Sequence, residues 1–189
     1  MCGRIDVDGE EINRWVPQDL GIRFKAASNH DLRPAQTVST VASVEGRLQQ
    51  LDTRWGIKPK WATSLLINAK SETVTEKQTF VKAFAFNRCL VPCSGFYEWM
   101  STKAGKVKLR FHRIDERPLY MAAFWYEGET PQLVTLTRAA PTELYHIHNR
   151  FPVFIGASEA STWLNATPLD AQAMAIDSAA QGITFSPSE

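Results

Sequence analysis

Apolar and polar positions alternate along several runs of the chain, and these runs define strands. Thr37–Val44 and Arg47–Trp55 are two β-rich stretches separated by Glu45-Gly46, the pattern of a hairpin. Within the second, Leu51, Thr53 and Trp55 alternate with Asp52 and Arg54, as in a strand with one buried face. Residues 5–8 and 107–112 alternate in the same way. Leu119–Tyr126 is almost continuously apolar, and with 132–137 it is a candidate for the sheet centre. Residues 89–92 and 95–99 predict strand segments broken at Ser94-Gly95, and 152–155 a short strand.

Helical spacing is rarer. Ile12, Trp15 and Val16 predict a helix over 10–16 with acids in its first turn and Pro17 beyond it. Thr79 is placed to cap a helix through Phe86, with Phe80, Ala83, Phe84 and Phe86 as its apolar face. Pro141 opens a helical segment to about Ile147, and Ser158 caps a last helix across Trp163 and Leu164. Residues 21–36 read as irregular loop, and 182–189 as a tail that pairs briefly. The sum is an α+β fold: one domain over 1–189, with a curled, mainly antiparallel, barrel-like sheet flanked by a few short helices.

Composition narrows the function classes. Hydrophobic residues make up 44% and charged residues 22%, an ordinary globular balance. The net charge of +1 means that nucleic-acid binding would need a local basic patch. No run is long enough to span a membrane, and no secretory leader is expected, since Met1 precedes a polar segment. Three cysteines without secretory context suit a reducing cytoplasm. Cys89 and Cys93 lack two further ligands at metal-site spacing and read as buried thiols; no metal or cofactor is called for.

Five places carry candidate chemistry. Cys2, once Met1 is removed, would bear an α-amine and a thiol on adjacent carbons, both partly deprotonated near neutral pH. Such a 1,2-aminothiol condenses with an aldehyde to an imine and closes to a thiazolidine, or attacks an acyl carbon. Taken alone, a cysteine at position 2 reads as incidental, because no base stands near it in sequence. Glu98 lies among Phe96, Tyr97 and Trp99, surroundings that would raise its pKa and suit it to acid–base work; the plainer reading is a rim carboxylate. His148 precedes the Arg150-Phe151-Pro152 turn, either as a proton carrier or as a capping or core histidine. Asn68 ends an apolar run, where an amide could bind an amine or carbonyl or merely cap a turn. Arg54, Lys58, Lys60, Lys70 and Arg88 interleave with Trp55 and Trp61, a pattern that suits a single nucleic-acid strand and equally a solvated edge over core tryptophans.

The order of Met1-Cys2-Gly3-Arg4, Trp55-Gly56, Ile67-Asn68-Ala69 with Glu72-Thr73, Arg88 to Pro92 running on to Gly95-Phe96-Tyr97-Glu98-Trp99, and Ile147-His148 with Arg150 and Pro152 resembles the SOS response-associated peptidase (SRAP) family, from Met1 to about Trp163. The resemblance implies binding of single-stranded DNA and covalent capture of abasic sites, by a thiazolidine between the mature N-terminal cysteine and the ring-opened sugar. By motif, Cys2 would be the nucleophile, Asn68 would orient its amine or the aldehyde oxygen, Glu98 would shuttle protons, and His148 would assist proton transfer. Arg4, Trp61, Lys70 and Arg150 would line the DNA groove. The family name also implies a peptidase activity, such as removal of residues ahead of Cys2. The implied partner is single-stranded DNA with abasic sites, with no membrane and no metal, and the protein is expected to act as a monomer.

Several positions depart from the pattern. Lys70 stands where the family usually has Arg, and Asn149 where it has Asp, removing a charge beside His148. Phe151 replaces a frequent Met or Arg. Asp31 stands where Asn is usual and would weaken the approach of an anionic ligand, and a final strand segment is not expected. The expectation is an intact centre with an altered DNA-binding surface. Two other classes compete: an N-terminal-nucleophile peptidase or amidohydrolase, and a non-catalytic single-stranded nucleic-acid-binding module.

Overall fold

The alternating runs form strands at nearly their expected bounds in the computed structural model, which describes residues 3–178 and 182–188. In chain order the strands are β1 Ile5–Val7, β2 Asn29–Leu32, β3 Thr37–Val44, β4 Arg47–Trp55, β5 Asn68–Lys70, β6 Arg88–Cys93, β7 Gly95–Thr102, β8 Gly105–Arg113, β9 Leu119–Tyr126, β10 Gln132–Ala139, β11 Arg150–Pro152 and β12 Ile183–Pro187. The helices are α1 Gly9–Leu20, α2 Gln78–Phe86, α3 Ala160–Asn165 and α4 Pro168–Asp177. Short 3-10 turns occur at Ser71–Thr73, Thr142–Leu144 and Ala157–Glu159. The fold is α+β, as the pattern predicts.

Two sheets carry the structure. One has the order β12-β8-β7-β1-β2, and the other β11-β10-β4-β3-β6-β9 with β5 added beside β10. The second sheet curls until β10 touches both β9 and, over two residues in parallel, β4. It is a partly curled sheet and not a closed barrel. Most pairings are antiparallel; β10 with β4 and with β5 are the parallel ones. Hairpin β3–β4 turns on Glu45 and Gly46, both at positive φ (52° and 74°), the backbone that a two-residue turn between twisted strands requires.

An aromatic cluster joins the sheets. Phe96 of β7 stacks on Phe111 of β8 at 4.8 Å between ring centroids. Phe151 of β11 and Phe154 meet Phe96 edge-on and tilted at 5.3 and 5.6 Å. Side chains two apart on a strand share a face, so Glu98 continues the row begun by Phe96 and faces inward with it. Gly95 lets β8 approach this closely: a Cβ there would lie 2.6 Å from the Phe111 carbonyl oxygen.

The structure corrects several expectations. α1 runs through Pro17 to a left-handed Gly21, whose N–H bonds the Pro17 carbonyl at 3.0 Å. Asp8 caps its start by accepting from the N–H groups of Glu10 and Glu11. Residues 29–32, expected as loop, are edge strand β2 on β1. Thr79 does not cap α2, since Lys77 holds the cap position without a side-chain bond, and Phe86 is 78% exposed and so no part of its buried face. Gly156, not Ser158, opens the 3-10 turn ahead of α3. α4, which the hydrophobic pattern did not suggest, starts with Thr167 as cap and Pro168 in its first turn. A final strand exists after all: β12 pairs with β8 over five registered positions. Cys89 and Cys93 are buried, as expected.

Arg88 belongs to the core and not to a nucleic-acid surface. It is buried, and its guanidinium donates to the carbonyls of Trp163, Phe84, Ala85 and Ala166 at 2.8, 2.9, 3.2 and 2.5 Å. It ties α2 and α3 to β6. Trp55 is likewise fully buried, its indole N–H on the Ile67 carbonyl at 3.2 Å.

Candidate active site

Glu98 sits in the middle of β7 and is 5% exposed. Burial pushes its carboxyl pKa above the ordinary carboxylate value, because charging it in a low-dielectric site is costly; the nearby charge of His148 acts in the opposite sense. The two side chains therefore share one electrostatic environment. Of the two readings of Glu98, the exposed rim carboxylate does not hold, since the side chain is buried.

The chain's beginning is delivered to the same strand. Ile5 and Asp6 pair with Phe96 and Gly95, and the Tyr97 N–H donates to the Arg4 carbonyl at 3.0 Å. Each step back toward the N-terminus thus advances along β7 toward Glu98. Gly3 is the first described residue; Cys2 lies outside the described residues.

His148 follows the turn at Thr142–Leu144, and its N–H bonds the Leu144 carbonyl at 3.3 Å. The Arg150 N–H donates to its Nδ1 at 3.0 Å, and the Arg150 carbonyl lies 3.2 Å from the same atom. The N–H serves a ring with a bare Nδ1, and the carbonyl serves one with a proton on Nδ1. One residue of backbone accommodates both protonation states, which suits a proton carrier.

Asn68 heads β5 opposite Thr135 of β10. The Thr135 hydroxyl donates to Asn68 Oδ1 at 2.6 Å. The same hydroxyl also lies 3.1 Å from the Ile67 carbonyl oxygen. Two residues on, Lys70 pairs with Thr137, and Arg150 Nη2 donates to the Thr137 carbonyl at 2.6 Å. Arg150 also forks onto Glu72, Nη1 to Oε1 at 2.6 Å and Nη2 to Oε2 at 2.7 Å. That guanidinium holds the Glu72 carboxyl pKa below the usual carboxylate range.

Arg4 stands over the Trp99 ring, 5.4 Å from its centroid, and pairs with Asp31, which also takes Arg33. Hydrogen bonds from Arg33, then from Arg4, lower the Asp31 pKa. Trp61 is 68% exposed on the segment between β4 and β5. Among the described residues, no group of three or more His, Cys, Asp or Glu side chains could hold a metal ion.

The structure thus brings Glu98 and His148 together, sets Lys70 and Arg150 on either side of Thr137, and leaves Trp61 on an outer loop. Sequence reasoning missed Thr135, Arg138 and the acid partners of Arg4 and Arg150. Alternation over 132–137 marks Thr135 as buried, and a buried hydroxyl needs a partner; nothing in the sequence says that the partner is Asn68.

A profile of the family described as SOS response associated peptidase (SRAP) matches residues 1–187. Relatives include abasic site processing protein YoqW of Bacillus subtilis, 27% identical and covering 90% of this chain and 83% of that protein. Another is abasic site processing protein YedK of Escherichia coli, 26% identical over 87% of this chain and 79% of that one. A crystal structure of a phage-related protein from Bordetella bronchiseptica shares the fold, with a TM-score of 0.85 and 22% identity over 100% of this chain and 94% of that one. With the profile running along almost the whole sequence, the chain belongs to the SRAP family.

Proposed function

We propose that this protein processes abasic sites in single-stranded DNA, with Cys2, made N-terminal by removal of Met1, capturing the ring-opened sugar as a thiazolidine. The observation that carries the reading is Glu98: a buried carboxyl of raised pKa beside His148, on the strand along which the chain's first residues run. The abasic-site processing named for the relatives supports it.

The chemistry asks for three proton movements. Opening the sugar needs a proton at the ring oxygen, which a protonated Glu98 supplies. The Cys2 amine adds to the aldehyde carbon, and the carbinolamine loses water to give the imine, again with an acid at the departing hydroxyl. The thiol then adds to the imine carbon while its proton passes to a base, and the ring closes with no net redox change. His148, held for either protonation state, is the second carrier. Asn68, bonded to Thr135, would orient the Cys2 amine or the aldehyde oxygen. Removal of residues ahead of Cys2 would be the protein's own peptidase step, and a reducing cytoplasm and a monomeric state are the setting we assign to it.

The test is a denaturing gel with single-stranded DNA carrying one abasic site, alongside intact-mass analysis. A heat-stable adduct is expected, absent in Cys2→Ala. If Met1 is gone yet no adduct forms, or if the adduct survives Cys2→Ala, the reading is wrong. Amide turnover dependent on Cys2 without an adduct would instead indicate an N-terminal-nucleophile hydrolase.

A further inference from the structure

The first strand is short, and its apolar pattern alone does not fix where it lies. β1 has three residues, and its pairing with β2 is irregular between Ile5 and Val7. Ile5 and Val7 alternate with Asp6 and Asp8, so a slide of one residue would turn the apolar pair outward and cost its burial. A slide of two residues keeps each side chain on its face. Val7 then takes the place of Ile5 opposite Phe96, and Asp8 that of Asp6 opposite Gly95. Such a slide displaces the chain ahead of β1 by about 7 Å. Cys2 stands four positions before Asp6, so the register of β1 decides how Cys2 meets Glu98.

The side chain of Asp6 tells the two registers apart. Its carboxylate is 4% exposed and takes Arg110 Nε on Oδ2 at 2.6 Å and His30 Nδ1 on Oδ1 at 2.7 Å. His30 comes from the neighbouring β2. Arg110 reaches over from β8 and lies close on Gly95 of β7, where a Cβ would already touch it at 3.4 Å from Nε. The same guanidinium donates from Nη2 to the Ser94 carbonyl at 3.3 Å. Ser94 leads back to β1: its N–H bonds the Asp6 carbonyl at 2.8 Å, and its hydroxyl accepts the Asp8 N–H at 3.0 Å. Asp8 is committed to the N–H groups of Glu10 and Glu11, and it cannot take the seat of Asp6 without uncapping α1. Ion pairs around a buried carboxylate add little net stability; their best-attested use is to fix a register.

We propose that Asp6 is a positioning residue: held by Arg110 and His30, it locks the register of β1 and so places the mature N-terminal Cys2 for reaction. The inference rests on the reading of Cys2 as the nucleophile. It adds a residue beyond the Met1-Cys2-Gly3-Arg4 motif.

The experiment compares the wild type with two variants. One combines Asp6→Leu with Arg110→Met, replacing the pair by apolar groups; the other, Asp6→Asn, keeps an acceptor without the charge. Thermal melts establish that they are folded. Adduct formation on single-stranded DNA with an abasic site is followed in single turnover at saturating DNA, so that affinity does not enter. The double variant is expected to react up to about 10²-fold more slowly, the cost of a misplaced reacting group, with Asp6→Asn between it and the wild type. In NMR spectra, backbone cross-peaks between Ile5 and Phe96 should weaken while cross-peaks between Val7 and Phe96 appear. A purely structural role would lower the melting temperature and leave the rate of the folded protein unmoved. A folded variant with the wild-type rate therefore overturns the proposal, and so does a slowed variant with unchanged Ile5–Phe96 cross-peaks. Loss of both sets of cross-peaks also overturns it, since Asp6 would then hold the strand in the sheet without choosing its register. If the double variant does not fold, Asp6→Asn carries both readouts. A wild type that forms no adduct refutes the Cys2 reading, and the cross-peaks still decide whether Asp6 sets the register.

Discussion

The two flanks of the candidate site differ in how their basic residues are balanced by acids. On the β1–β2 flank Arg4 and Arg33 share Asp31, while Arg110 and His30 share the buried Asp6. On the β5–β10–β11 flank stand Lys70, Arg138 and Arg150; Arg150 pairs with Glu72, and the charges of Glu143 and Glu72 act on Arg138. A count of basic residues would treat the flanks alike; the acids set against them do not. Guanidinium groups already paired with carboxylates, Arg150 among them, present little net field to a passing phosphate. The field should therefore be stronger on the β10–β11 side, and the Glu98 acid–base step is expected to be separable from strand affinity.

That independence is the first thing to break. Glu98→Gln should slow crosslinking by about 10²- to 10⁴-fold, the usual span for losing a general acid–base group, with single-strand affinity unmoved. Single-turnover gel kinetics beside anisotropy would show it, and a matching fall in affinity would tie the chemistry to the flanks. The pH dependence has a definite sign. The folded-state pKa of Glu98 is raised, so ionising it costs stability as pH rises above its unfolded value of about 4.3. Glu98→Gln should therefore melt higher than wild type at neutral pH, and this advantage should vanish in acid below that value.

A smaller effect is expected where one flank is made to resemble the other. Asp31→Asn releases Arg4 and Arg33 from their shared acid. Binding to an undamaged single strand should tighten, and the salt slope should steepen by about 0.7 for each phosphate newly contacted. Unchanged binding would show that Asp31 merely positions Arg4 over Trp99.

The smallest effect should come from Thr135→Val, which leaves Asn68 Oδ1 without its donor. Losing one neutral hydrogen bond corresponds to roughly three- to tenfold in crosslinking rate. Thr135→Ser should recover most of it. A change in stability with no change in rate would make Thr135 a packing residue only.

How far the sequence carried depended on whether a residue's partner was local. The β3–β4 hairpin was legible because its alternation and its Glu45-Gly46 turn lie within one stretch of chain. Strand β2 was not, since Asn-His-Asp-Leu carries no alternation and gains its strand character from pairing with β1. α4 did offer a signal in Thr167, Pro168 and Asp170, where the Thr167 hydroxyl accepts from the Asp170 N–H at 3.2 Å, but its apolar face is too weak to stand out. Arg88 misled because a run of basic residues says nothing of where each side chain goes; the carbonyls that hold it come from segments up to 78 positions away. In the candidate site, the motif order singled out Glu98, His148 and Asn68 as expectations, whereas the Arg150–Glu72 fork spans 78 positions and the Thr135–Asn68 bond spans 67. Those partnerships are written in the topology.

The consequence of β10 touching β4, β5, β9 and β11 concerns hydrogen exchange. A strand with four neighbours cannot open by peeling from one edge, because each local release leaves others attached. Its amides should exchange only through global unfolding, while those of β2 and β12, at the sheet edge, exchange by local fraying. Thr135, Thr137 and Arg138 therefore sit on one of the last elements to loosen. A captured strand would meet a wall already in its final shape, and the slow-exchanging spectrum of the free and DNA-bound protein should coincide along β10.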